Sequence, residues 1–259
     1  MRYPLIRLVQ ILRAYGIAYL FSWVHRISGV GLLLFLYVHI YTLSYLVEPV
    51  VFDAKVKWMG QVGLIFFGWL LALPVIFHAL NGTRLILYET FGNRRDELAT
   101  AWVAGLTLLY SLFLFFTTCL RNNSPASFTL DIALVIGLAA AGALIIALGK
   151  SKMGIYWKIQ RISGAFLLIM IPVHLVFMHA NPAAGHDSAV ILARIRSDML
   201  IRLADVLIVV SALYHGAYGL ISIAKDYLKS EVLIRRVSIL IALFSILFGW
   251  LGIKTMALV

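Results

Sequence analysis

Four histidines, His39, His78, His174 and His215, stand inside long apolar stretches of a chain that is 63% hydrophobic and only 13% charged. An imidazole is costly in such surroundings and marks a functional position by default. Their depths pair them. His39 lies 13 residues beyond Arg26 and His174 lies 13 beyond Arg161. At a helical rise of 1.5 Å per residue, each is about 20 Å from the boundary set by those arginines. His78 precedes Arg84 by six residues and His215 precedes Lys225 by ten, which puts them roughly 9 and 15 Å from the same boundary. Two imidazoles at matching depth on different helices can supply the two axial ligands of a six-coordinate haem iron, whereas transport or proton relay requires no matched pairs. The expected pairs are therefore His39 with His174, in the outer half, and His78 with His215, in the inner half.

An internal repeat carries these ligands. HRISGVGLLLFLYVH (25–39) matches QRISGAFLLIMIPVH (160–174) at eight of fifteen positions, and FHALNG (77–82) echoes YHGAYG (214–219). The offsets are 135 and 137 residues. Gly29 and Gly164 each precede a histidine of their own helix by ten residues, while Gly82 and Gly219 each follow one by four, on the same helix face. Small residues at these positions leave room between helices for a macrocycle.

These positions need membrane helices to hold them. A span takes about 20 mostly apolar residues, and seven stretches qualify, at approximately 21–46, 61–88, 101–120, 130–149, 157–180, 200–224 and 236–257. The expected fold is an all-α, polytopic transmembrane helix bundle of about seven helices, with five as the fallback. It forms one membrane domain over 1–259, with parallel repeat halves at approximately 17–95 and 152–230 and two additional helices at 101–149. The N-terminal apolar run lacks a small-residue cleavage site and reads as retained. With the N-terminus in the cytoplasm, fifteen of the 22 basic residues fall on inside segments, which supports N-terminus in and C-terminus out. The net charge of +11 then describes a basic cytoplasmic face suited to anionic lipid or an acidic soluble partner, not to nucleic acid. A single cysteine, Cys119, excludes an internal disulfide framework and a cysteine-ligated iron–sulfur cluster.

The blocks SWVHRISG (22–29) and HALNGTRLILYE (78–89) resemble the signatures of the cytochrome b membrane anchor of succinate dehydrogenase. With the second RISG-to-histidine spacing and YHGAYG, the chain is similar to the single-chain, two-haem version found in succinate:menaquinone reductases and quinol:fumarate reductases. The resemblance implies an inner-membrane subunit carrying two b haems and a quinone site, menaquinone rather than ubiquinone. It also implies flavoprotein and iron–sulfur partners on the cytoplasmic face, which hold the succinate and fumarate chemistry. In that family polar residues at the inner helix ends hold the inner haem propionates, and the matching positions are His25, Arg26, Trp157 and Lys225. Cationic donors suit carboxylates. Ser22 and Arg26 match an inner quinone pocket, and ordinary positive-inside anchoring also accounts for Arg26, Arg84 and Arg161. A quinone site near the outer haem needs a polar, proton-handling group, for which Glu48, Asp53, Asp131, His179 and Asp205 are candidates, Glu48 and Asp205 foremost. His186 reads as a solvated loop residue.

Two departures stand out. The two-haem family usually has five helices, and the additional pair at 101–149 has no assigned role. Proton-moving members carry a glutamate where this chain has Leu213. The competing readings are a quinone-reactive cytochrome b of a hydrogenase or formate dehydrogenase, without two RISG blocks, and a repeat-built transporter, which has difficulty with four histidines.

Overall fold

The computed structural model describes residues 16–61, 64–92, 95–119, 127–179 and 187–259, and among them the chain is helical with no strand. Nine α-helices follow in order among these residues: α1 (Ile17–Leu43), α2 (Pro49–Gln61), α3 (Leu64–Phe91), α4 (Asp96–Cys119), α5 (Ser127–Gly149), α6 (Ile155–His174), α7 (Ser188–Ser197), α8 (Met199–Tyr227) and α9 (Glu231–Leu258). A short 3₁₀ turn, Ser44–Val47, continues α1, and a π turn, Leu175–His179, continues α6. Arg2, Arg7, Arg13, Arg94, Arg121 and His186 lie outside the described residues, as do the side chains of Asp131 and His179.

Helices stand at all seven expected positions. Among the described residues six regions, in α1, α3, α4, α5, α8 and α9, are long and apolar enough to cross a membrane. The remaining helix, α6, opens with Lys158, Gln160 and Arg161, so the apolar part of its regular α-helix is short before the π turn takes over. That turn begins immediately after His174 and follows Pro172, which has no N–H to continue the α-helical ladder.

Polar side chains set several boundaries. Asp187 caps α7 by accepting from the amides of Ala189 and Val190 at 2.9 and 3.3 Å. Asp198 caps α8 through Leu200 at 2.8 Å, and Ser230 caps α9 through Leu233 at 3.4 Å. Sequence reading missed α2 and α7, because both are short and only partly apolar. They form a lid over one end of the bundle: Leu46, Phe52, Ile191, Leu192 and Ile195 bury one another there, and Asp53 fastens α2 to α7 by accepting from the Ser188 amide at 3.0 Å and hydroxyl at 2.7 Å. The opposite end carries Arg26, Arg84 and Arg161, each paired with an acid: Asp226, Asp96 and Glu89 respectively.

Helices α1, α3, α6 and α8 form a ring in which each packs on two neighbours, α1 on α3 and α8, α6 on α3 and α8. The additional helices do not insert between them. α4 lies along α3, and α5 lies along α6, where Gly137 faces Phe166 and Met170. α9 lies along α8 and α1.

Candidate functional site

The ring of four helices places the four histidines on its two diagonals. His39 of α1 meets His174 of α6 with ring centroids 6.4 Å apart and planes at 89°. His78 of α3 meets His215 of α8 at 6.2 Å and 82°. A metal–imidazole nitrogen bond is about 2 Å, so two rings ligating one ion from opposite sides have centroids roughly 6 Å apart. Both separations have that span.

The second pair shows how the repeat seats an imidazole. The Nδ1 atoms of His78 and His215 lie 3.1 and 3.2 Å from the backbone carbonyls of His25 and Gln160, the residues that open the two RISG blocks. A carbonyl only accepts, so Nδ1 carries the proton and Nε2 is left with the lone pair a metal requires. Ser28 and Ser163, the serines of RISG, donate to those same two carbonyls at 3.0 Å. The glycines make the room. A Cβ on Gly29 would stand 2.9 Å from the His78 ring, and one on Gly164 would stand 3.1 Å from the His215 ring. The spacing from RISG to the histidine of its own helix thus hides the contact that matters: each RISG seats the imidazole of the next ring helix, His78 of α3 or His215 of α8. Gly82 and Gly219 complete the symmetry by facing His25 and Gln160.

The polar residues expected around the inner pair divide. His25 lies flat on His78, centroids 3.9 Å apart and planes 7° apart, and its buried Nδ1 has no hydrogen-bond partner among the described residues. Trp157 lies under the Arg161 guanidinium at 4.9 Å. Arg26 instead reaches outward, to the Tyr227 hydroxyl at 2.7 Å and Asp226 at 3.0 Å. Lys225 is exposed, and Ser22 is half-buried on α1. Arg84 was not among the expected propionate residues, although its side chain is 5% exposed and, with Arg161, it lies within electrostatic range of His25.

At the lidded end, Glu48 is exposed and starts α2, its carbonyl accepting from Val51 and Phe52 at 2.9 and 3.1 Å. Asp53 is held by Ser188. Asp205 is enclosed beside Arg194 of α7, 3.9 Å away; burial draws the Arg194 guanidinium below its ordinary range, and Asp205 acts in the opposite sense. Arg194 also touches the sulfur of Met178 in the π turn. Leu213 is buried and faces Gly249 of α9.

The family model of the succinate dehydrogenase/fumarate reductase transmembrane subunit matches residues 3–129 and 132–253. The chain belongs to that family. A relative from Mycobacterium tuberculosis, described as succinate dehydrogenase 2 membrane subunit SdhC, is 37% identical over 95 residues, covering 35% of this chain and 68% of its own length. No solved structure matches. The chain is thus a multi-pass membrane anchor subunit of the succinate dehydrogenase/fumarate reductase type.

Proposed function

We propose that this subunit carries two b haems, one between His78 and His215 and one between His39 and His174, and conducts electrons between an iron–sulfur subunit and menaquinone. The carrying observation is the pair of diagonal imidazole contacts, 6.2 and 6.4 Å between centroids. Haem supplies a one-electron relay at each end of the bundle.

The protein's part is to fix the ligands. The carbonyls of residues 25 and 160 select the tautomer that turns Nε2 to the metal, and the serine on each carbonyl holds it in place. Each perpendicular ring pair is framed by apolar helices that exclude water, which tunes a buried redox centre. The basic end, with Arg26, Arg84 and Arg161, faces the cytoplasm in this reading, with the N-terminus inside and the C-terminus outside. It presents Arg26, Lys225 and the acids paired there to flavoprotein and iron–sulfur subunits. His25 and Trp157 flank the inner haem's carboxylates, and Ser22 and Arg26 edge a quinone pocket at that end. Asp205, with Glu48 at the rim, is the proton-handling group for quinone at the lidded end.

A reduced-minus-oxidised spectrum of the purified complex, with a haem-to-protein ratio, tests the reading. Two haems per chain are expected, His78→Ala losing one and His39→Ala the other. Retention of both in either variant overturns the ligand assignment. Copurification of a flavin-containing, succinate-oxidising partner separates this function from that of a hydrogenase or formate dehydrogenase cytochrome.

A further inference from the structure

The lid has a second face. α2 buries Phe52 in the lid core, with Val56 packed beside it. On the other side of the same helix Val50 is 83% exposed and Trp58 64%, and Ala54 between them is exposed as well. These three stand four residues apart, so they form one apolar stripe. Val47, exposed in the 3₁₀ turn that leads out of α1, continues it. A lid helix standing in water would carry polar residues on that side. With 13 residues, α2 is also too short to cross a bilayer.

Cations border the stripe. At about 100° per residue, Lys57 falls beside Val50 on one margin and Lys55 falls beyond Trp58 on the other. The Lys55 ammonium lies 3.9 Å from the centre of the Tyr45 ring, and the Tyr45 hydroxyl is 2.6 Å from that of Tyr41 at the end of α1. Neither lysine is in an ion pair among the described residues, whereas Arg26, Arg84 and Arg161 at the opposite end each have an acid. An apolar stripe that carries a tryptophan and is edged by lysines suits a helix lying in the plane of a bilayer surface. The stripe then enters the upper acyl chains, and the ammoniums reach lipid phosphates.

The place of α2 in the fold favours lipid over a protein partner. It follows α1, a helix long and apolar enough to span, after a 3₁₀ turn of four residues, so it starts at the rim of the bilayer. The exposed face of α1, with Val38 and Tyr41, leads into Val47 and the stripe. We propose that α2 is an interfacial helix that seats the lid on the membrane, with Val50, Ala54 and Trp58 in the acyl region and Lys55 and Lys57 on acidic phospholipid headgroups. Because Asp53 ties α2 to Ser188 of α7, the depth of α2 sets that of the whole lid.

The experiment measures depth in the intact complex, in nanodiscs of phosphatidylcholine with phosphatidylglycerol. Nitroxide labels are attached through Ala54→Cys on the stripe and through Gly60→Cys, roughly a third of a turn away around the axis, in a chain carrying Cys119→Ser. Nothing lies within 4 Å of a Cβ on Gly60. Dissolved oxygen, which partitions into acyl chains, is expected to relax the Ala54 label several-fold more than a water-soluble nickel chelate does, with the order reversed at Gly60. Omitting phosphatidylglycerol, or combining Lys55→Gln with Lys57→Gln, is expected to raise nickel access at Ala54, and the double variant is expected to ignore phosphatidylglycerol. If Ala54→Cys fails to assemble, Val50→Cys reports on the same stripe. Equal nickel access at the two positions places the stripe in water and overturns the proposal. A stripe label shielded from both reagents means that a partner or a second copy covers it, which overturns it too. So does a depth that responds neither to acidic lipid nor to the lysines.

Discussion

The ring of His78 lies flat against that of His25, 3.9 Å between centroids, while its Nδ1 bonds to the His25 carbonyl at 3.1 Å. One residue therefore restrains the imidazole through both side chain and main chain. In the second repeat Gln160 supplies the carbonyl at 3.2 Å but has no ring to stack. The two imidazoles of the inner pair share one socket design and differ in this single support.

His25→Ala keeps the carbonyl and removes the stacked ring. Stacked aromatic pairs contribute about 0.5–1.5 kcal/mol, so the haem should remain bound. Its low-spin electron paramagnetic resonance signal should broaden and shift, because the His78 ring gains freedom to rotate. His25→Gln, which copies the second repeat, should bind haem as well. Loss of the haem in both variants would show that His25 is a ligand or a structural keystone, contrary to this account.

Gly29→Ala discriminates the glycines of α1. Its Cβ would come within 2.9 Å of the His78 ring, whereas nothing lies within 4 Å of a Cβ on Gly31. Overpacking costs about 1–3 kcal/mol, and here the strain falls on the His78 ring. Gly29→Ala should lower occupancy of the inner haem with the outer one intact, and Gly31→Ala should change neither. Haem-to-protein ratios resolve the two. Equal occupancy in both variants would mean that the socket is looser than its geometry indicates.

Much of this was legible in the chain. Span length, the RISG repeat and the distance of each histidine from the flanking arginines reflect the constant rise of a helix, so depth could be read and the diagonal partners named. Which helix a motif serves could not. Gly29 and Ser28 look as though they belong with His39, on their own helix, yet they seat His78, because helix packing brings the middle of α1 against the middle of α3. The lid escaped for another reason. α2 and α7 are too short for a span signal, and Asp53 meets Ser188 across 135 residues, a contact with no local pattern. Arg84 is buried whereas Arg26 reaches Asp226 and Tyr227, since only tertiary packing decides which arginine turns inward.

Tyr110 gives α4 a task. Its hydroxyl donates at 3.0 Å to the carbonyl of Pro172, two residues before His174, where α6 passes into its π turn. Tyr110→Phe leaves that carbonyl less satisfied, at about 1–3 kcal/mol if no water replaces the hydroxyl. The turn sets the aim of His174, so the midpoint or resonance signal of the outer haem should move and that of the inner haem should not. An unchanged outer signal would reduce Tyr110 to packing.

The two additional helices can be understood by counting crossings. α1, α3 and α4 have counterparts in α6, α8 and α9: the first of each set carries RISG, the second carries the socketed histidine, and the third lies along the second. Three crossings leave the chain on the side opposite its start, so a second set of the same orientation needs one more crossing, and α5 provides it. The family match in two segments, 3–129 and 132–253, accords with this division. Each histidine pair takes one ring from each set, so neither set completes a site alone. Cut between Asn122 and Asn123 and produced as two chains, the halves should copurify and bind two haems when coexpressed. Lys150 and Lys152, following α5, should keep the second half in its orientation. Each half alone should show no haem bands. Haem bands from either half in isolation would mean that the pairs do not bridge the repeat, and the diagonal arrangement would have to be abandoned.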